Sequence, residues 1–163
     1  MKSLNNSIIE IYTDGSCNPQ QKVGAWAALI FYDSEKIVLQ DTVSETTHNR
    51  MELIAVIKSI EYVLKEIPGN KQIKIYTDSQ YVEKIPDRTR KLVSKDFKTK
   101  KGVEIQNADL VQDLIELLNS TTSIEFIKVK AHQKASVMPN YNREVDKLSR
   151  KLVRQYISKN QQL

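Results

Sequence analysis

The sequence has little of what would mark it as something other than an ordinary folded domain. Its one cysteine, Cys17, excludes a disulfide within the chain, and a reducing compartment, the cytoplasm, is the expected setting. It carries only four prolines and four glycines, and no repeat, linker or low-complexity stretch interrupts it. No apolar run is long enough for a membrane span, and the polar start, Met1 to Ser7, does not read as a signal peptide. What is there is 163 residues, 40% hydrophobic and 28% charged, enough for one domain with a core of its own.

The net charge of +5 is unevenly placed. Lys84, Arg88, Arg90, Lys91, Lys95, Lys98, Lys100 and Lys101 are opposed in their window only by Asp87 and Asp96, so residues 84–101 are net +6 and the rest about −1. Local basic charge suits a polyanion such as nucleic acid, although a solvated helix face would look the same.

Alternation and periodicity predict the elements. Ile8 to Thr13, Val23 to Phe31 and Lys36 to Val43 read as strands, with turns at Asp14-Gly15 and Asp33-Ser34-Glu35, forming an antiparallel meander. Leu53, Val56, Ile57, Ile60 and Leu64 then mark a helix that ends at Pro68-Gly69-Asn70. Gln72 to Thr77 is a fourth strand, parallel to the first if the helix is a crossover. The basic window is expected to be helical in pieces, broken near Pro86. Asn107 to Leu118 reads as a helix, Ser123 to Val129 as a fifth strand, Ala131 to Tyr141 as a loop and Asn142 to Ile157 as the last helix. The class is α/β: a five-stranded mixed sheet, three strands antiparallel and then two parallel, flanked by helices.

Four acids stand at the ends of these elements. Asp14 and Asp78 follow strands one and four, whose carboxyl ends share an edge if the strands are parallel. Glu52 falls in the first turn of the crossover helix and Asp146 in the first turns of the last. Each also has a local explanation. Asp14-Gly15 is a turn signal, Asn49 to Glu52 has capping-box spacing, Asp78 is placed to cap a helix, and Asp146 precedes Arg150 by four.

Five local motifs alter that balance. They are Thr13-Asp14-Gly15-Ser16, Thr46-Thr47-His48-Asn49-Arg50-Met51-Glu52-Leu53, Tyr76-Thr77-Asp78-Ser79-Gln80-Tyr81-Val82, Val129-Lys130-Ala131-His132 and Asn142-Arg143-Glu144-Val145-Asp146. In this order and spacing they resemble type 1 ribonuclease H, over about residues 8–157 of a single catalytic domain spanning 1–163. The resemblance implies the ribonuclease H-like fold and an endoribonuclease that hydrolyses the RNA strand of RNA–DNA hybrids, leaving 5′-phosphate and 3′-hydroxyl ends.

It further implies that Asp14, Glu52, Asp78 and Asp146 hold two Mg²⁺ ions, with Mn²⁺ as a substitute, and that Asp14 touches both. Mg²⁺ is a hard ion that prefers oxygen ligands, and two such ions ~3.5–4 Å apart activate a water and stabilise the leaving oxygen. Without metal the four charges should repel, so raised carboxyl pKa values are expected. His132 matches a loop histidine that moves protons or aids product release. Asn49 and Gln80 match minor-groove readers of the hybrid, and Thr47 and Asn107 match contacts in the DNA-strand phosphate region. Ser16, Cys17, Asn18 and Asn142 complete the expected substrate contacts, and Lys91, Lys95 and Lys98 belong to a basic protrusion at about 84–101. The partner is the hybrid duplex, with no membrane and a monomeric chain.

Three positions depart from the family pattern. Ser16-Cys17-Asn18-Pro19-Gln20-Gln21 is shorter than the usual loop and lacks its glycines, His48 stands where many members carry asparagine, and Glu45 stands near a usual arginine. A carboxylate at Glu45 would oppose a phosphate. Rival readings are another nuclease of the same fold, such as a resolvase or integrase, a non-enzymatic hybrid-binding module, or a structural domain whose acids are caps and ion pairs.

Overall fold

The computed structural model describes residues 7–120, 123–131 and 139–161. A mixed sheet of order β3-β2-β1-β4-β5 forms the centre. β1 (Ser7–Asn18), β2 (Val23–Tyr32) and β3 (Glu35–Ser44) are the antiparallel meander. β4 (Lys71–Thr77) adds to β1 in parallel, and β5 (Ile124–Lys128) adds to β4 in parallel. The expected class and strand directions hold.

Side chains alternate across the sheet because successive strand residues face opposite sides. Ile9 and Ile11 of β1, Ile30 of β2 and Ile73 and Ile75 of β4 join Leu53, Val56 and Ile60 of α1 (His48–Glu66) in the main core. α4 (Ala108–Ser120) closes this layer with Val111, Leu114 and Ile115. On the opposite face, Ala27 and Leu29 pack against Val145 of α5 (Tyr141–Gln161), beside Tyr12, Phe31, Tyr141 and Leu148. The sheet is therefore covered on both sides at β1 and β2, which explains the nearly unbroken apolar run in β2.

The first strand is longer than the sequence suggests. Asp14-Gly15 is not a turn, since Asp14 pairs with Ala27, Gly15 with Trp26 and Asn18 with Val23. The turn comes later, where the backbone N–H groups of Gln20 and Gln21 donate to Asn18 Oδ1 and Lys22 takes a positive φ of 54°. Gly15 serves close packing instead: a Cβ there would lie 2.7 Å from Glu52 N, Met51 C and Met51 Cβ. Its missing side chain lets α1 settle directly onto β1.

The helix starts also differ from expectation. Thr47 caps α1, its Oγ1 accepting the Arg50 N–H at 3.3 Å, so the Asn49–Glu52 capping box does not form. Ser79, not Asp78, caps the short α2 (Gln80–Glu83), its Oγ accepting the Val82 N–H at 3.2 Å. Pro86 sits in the first turn of α3 (Ile85–Ser94), where its missing N–H is no loss. The chain then folds back, bridging Lys98 to Glu104, so the basic window is one helix and one turn. Arg50 ties α4 to the start of α1, donating to both carboxylate oxygens of Asp109 at 3.0 and 2.9 Å and to Asn107 Oδ1 at 3.3 Å.

Candidate active site

The parallel pairing of β1 and β4 sets the position of the site. Their last registered pair is Tyr12 with Tyr76, so Asp14 and Asp78 stand two residues farther along each chain, at the same sheet edge. Thr77 helps turn the chain there, its Oγ1 accepting the Ser79 N–H at 3.0 Å. Glu52 lies one turn into α1, beyond the first turn expected for it, and the close approach over Gly15 brings it beside Asp14. α5, packed on β1 and β2, delivers Asp146 to the same cleft of about 410 Å³. Carboxylate oxygens of Asp14, Glu52 and Asp78 lie within 4.8 Å of one another.

These are not ordinary surface acids. Asp14 is 3% exposed and Glu52 1%. Burial is the largest cause pushing the Asp14 carboxyl far above its usual range, followed by the charges of Glu52 and Asp78. Burial also leads the upward shift of Glu52, with the Asp78 charge second. The expected rise is present, but removal from water outweighs mutual repulsion as its cause. Asp146 keeps its helical partner as well, with Arg150 Nη1 at 3.7 Å from Oδ2.

The donor set fits a hard divalent cation. Glu52 Oε2 is buried without a hydrogen-bond partner, a costly state for a carboxylate oxygen that a cation would relieve. A cluster of Asp14, Glu52 and Asp78 carboxylates is a costly structural element and a suitable donor set for a divalent cation.

The other candidates are placed unevenly. Ser16 and Cys17 line the cleft, and Asn18 lies at the end of the same strand. Thr47, Asn49 and Gln80 are exposed, next in sequence to the cleft-lining His48 and Ser79, and Asn107 is half-buried, its Oδ1 accepting from Arg50. Asn142 is 4% exposed, and its Nδ2 donates to the Lys130 carbonyl at 3.2 Å, tying α5 to the segment after β5. Lys91, Lys95 and Lys98 surround a separate hollow with Arg88 and Lys100. His132 lies outside the described residues, although Ala131 before it reaches the cleft. Two residues carry more than the sequence reveals. Lys22 comes across the β1–β2 turn to line a hollow with Cys17, Glu45 and Thr47. His48 lines both that hollow and the acidic cleft, whereas the sequence marks it only as a departure from the family motif and does not mark Lys22 at all.

A mixed sheet whose central parallel strands end in a buried acidic cluster defines a class of nucleases that share this architecture. The RNase H family model matches residues 6–154. Ribonuclease H of Nitrosospira multiformis is 35% identical over 133 residues, covering 81% of this chain and 83% of that protein. Ribonuclease H of Caldicellulosiruptor saccharolyticus is 32% identical over 149 residues, covering 90% and 97%. Among solved structures, a type 1 RNase H with the type 2 active-site motif has a TM-score of 0.75 at 21% identity, covering 93% of this chain and 74% of that one. A foamy viral protease-reverse transcriptase in complex with double-stranded DNA has a TM-score of 0.69 at 16% identity, covering 94% and 97%. These two show the fold. The chain belongs to the RNase H family. It is a ribonuclease H enzyme, an endoribonuclease acting on RNA–DNA hybrids.

Proposed function

We propose that this enzyme cleaves the RNA strand with two Mg²⁺ ions held by Asp14, Glu52, Asp78 and Asp146, giving 5′-phosphate and 3′-hydroxyl ends, with Mn²⁺ able to substitute. The observation that carries this reading is the buried, unpartnered Glu52 Oε2 within a cluster shared by Asp14 and Asp78. When bound, such ions supply Lewis acidity and an activated water. The chain's own part is to hold four acids where rigid elements meet, and to screen them from bulk water.

The hybrid is proposed to lie across the cleft between two outer grips. On one side, Ser16, Cys17 and Asn18 offer polar groups along the RNA strand, and Asn49 and Gln80 reach the minor groove. Thr47 grips a DNA-strand phosphate, and Lys22 supplies there the cation that Glu45 does not. Asn107 serves the same region, and Asn142 acts through the backbone that it holds. On the other side, Lys91, Lys95 and Lys98 bind phosphates without reading sequence. His132 is proposed to move a proton or to help product leave. Among the described residues no helix is long and apolar enough to cross a membrane. A cytoplasmic, monomeric enzyme is the setting that the lone Cys17 and the family resemblance support.

The test is cleavage of a labelled RNA–DNA hybrid in Mg²⁺ beside duplex RNA and duplex DNA, with an Asp14→Asn variant in parallel. Cutting of the hybrid's RNA strand alone, lost in the variant and in EDTA, is expected. Preferential cutting of duplex DNA would assign another nuclease of this fold. Binding of the hybrid without cleavage, in both Mg²⁺ and Mn²⁺, would assign a binding module.

A further inference from the structure

His48 is the first residue of α1, and the Thr47 cap fixes where that helix begins. One turn later comes Glu52, so helix geometry places the two side chains on the same face. The pairing is asymmetric in exposure: the His48 side chain is 61% exposed and the Glu52 side chain 1%. His48 Nε2 lies 3.2 Å from Glu52 Oε1. The other oxygen, Oε2, is buried and has no partner. The two oxygens of one carboxylate are therefore unequal. One lies within reach of a ring nitrogen at the mouth of the cleft, and the other is buried with no hydrogen-bond partner.

We propose that His48 is a positioning residue for the metal site: Nε2–H donates to Glu52 Oε1, restrains the carboxylate's rotation and leaves Oε2 as the metal-facing oxygen. The inference rests on the reading of the acidic cluster as a divalent-cation site. A glutamate has several rotatable bonds, and a buried oxygen is useful as a ligand only if the group is already aimed. Hydrogen bonds to metal-ligating carboxylates do this elsewhere, and removing such a partner typically weakens metal affinity ~10–100-fold. Asparagine in the same place would carry its donor one bond nearer the backbone. Glutamine carries its Nε2 the same number of bonds from Cα as histidine does, so it is the conservative replacement.

The experiment titrates Mg²⁺ into wild type, His48→Ala and His48→Gln without substrate, following heat by calorimetry and melting temperature. Hybrid cleavage is then measured across Mg²⁺ and hybrid concentrations. The exposed position of His48 lets all three chains fold, which melting in EDTA confirms. His48→Ala is expected to bind Mg²⁺ at least ~10-fold more weakly, and His48→Gln to return within ~3-fold of wild type. The Mg²⁺ concentration for half-maximal cleavage should move in step, with the hybrid KM at saturating Mg²⁺ unchanged. The proposal is overturned if the alanine variant binds Mg²⁺ as wild type does, if glutamine is as weak as alanine, or if only the hybrid KM moves, which would make His48 a substrate contact. A wild type that shows no saturable Mg²⁺ binding would overturn the metal reading itself and this inference with it.

Discussion

Asp14 is held at an energetic disadvantage that the proposed metal site would put to use. Its carboxyl is buried at the centre of a cluster of like groups, and burial is the largest reason that it resists ionising. Asp14→Asn removes that conflict while removing a proposed ligand. We expect the metal-free variant to be more stable than wild type by about 1–3 kcal/mol, read by denaturant unfolding in EDTA. The same variant should lose on the order of 10³-fold in cleavage rate, about 4 kcal/mol of transition-state stabilisation. A variant that is both active and destabilised would contradict the assignment. Gly15 gives a contrasting case, where the constraint is steric. A Cβ at 2.7 Å from the Met51 and Glu52 backbone cannot be absorbed by a side-chain rotation. Gly15→Ala should cost about 1–3 kcal/mol and should also lower activity, because α1 must lift and carry Glu52 from Asp14. Loss of stability with full activity at low temperature would show that α1 slides without disturbing the site.

At the scale of elements, much was legible because hydrophobic period changes cleanly along the chain. Ile9, Ile11, Ile73 and Ile75 alternate as strand residues should, and Leu53, Val56, Ile57 and Ile60 repeat as a helix face should. Boundaries were less legible because they depend on partners distant in sequence. Asp14-Gly15 has the chemistry of a turn, yet β2 offers Ala27 and Trp26 for pairing, and the strand runs on to Asn18. Asn49 and Asp78 have the chemistry of caps, yet Thr47 and Ser79 sit where the chain actually enters each helix. Thr47→Ala should therefore destabilise by about 1 kcal/mol, measured by thermal unfolding, and Asn49→Ala by less. The basic segment makes an independent prediction. Lys91, Lys95 and Lys98 are exposed around one hollow, remote from the acidic cleft in their lining. Replacing all three with alanine should raise the hybrid KM and flatten its dependence on salt, by roughly 0.9 in log–log slope for each phosphate left without its lysine. The maximal rate should hold, since no acid of the cleft is touched. An unchanged salt slope would mean that these lysines face solvent in the complex.

For the whole molecule, the site was legible only as a set of motifs. No single acid stands out in sequence, and Asp78 and Asp146 become neighbours of Asp14 only through a parallel strand pair and a helix packed from the other face. His48 and Lys22 were less visible still, because their significance lies in what the fold places opposite them. The same convergence ties stability to pH and metal. Asp14 and Glu52 both have raised carboxyl pKa values, so above the ordinary carboxylate range, near pH ~4, the folded metal-free chain binds more protons than the unfolded one. With fewer protons on the unfolded state, the slope of unfolding free energy against pH is negative. The contribution of these two groups is thus most favourable in acid, and it declines as pH rises from about 4 through neutrality. Mg²⁺ held by the ionised acids, as proposed, would reverse the penalty, stabilising the folded state by an amount that grows with free ion over its dissociation constant. The rise in melting temperature produced by saturating Mg²⁺ should accordingly be small near pH ~5 and larger near pH ~8, with protons released on binding. A calorimetric titration in two buffers of different ionisation enthalpy measures that release directly. A metal-induced shift independent of pH, with no proton release, would show that Asp14 and Glu52 are already ionised in the metal-free protein.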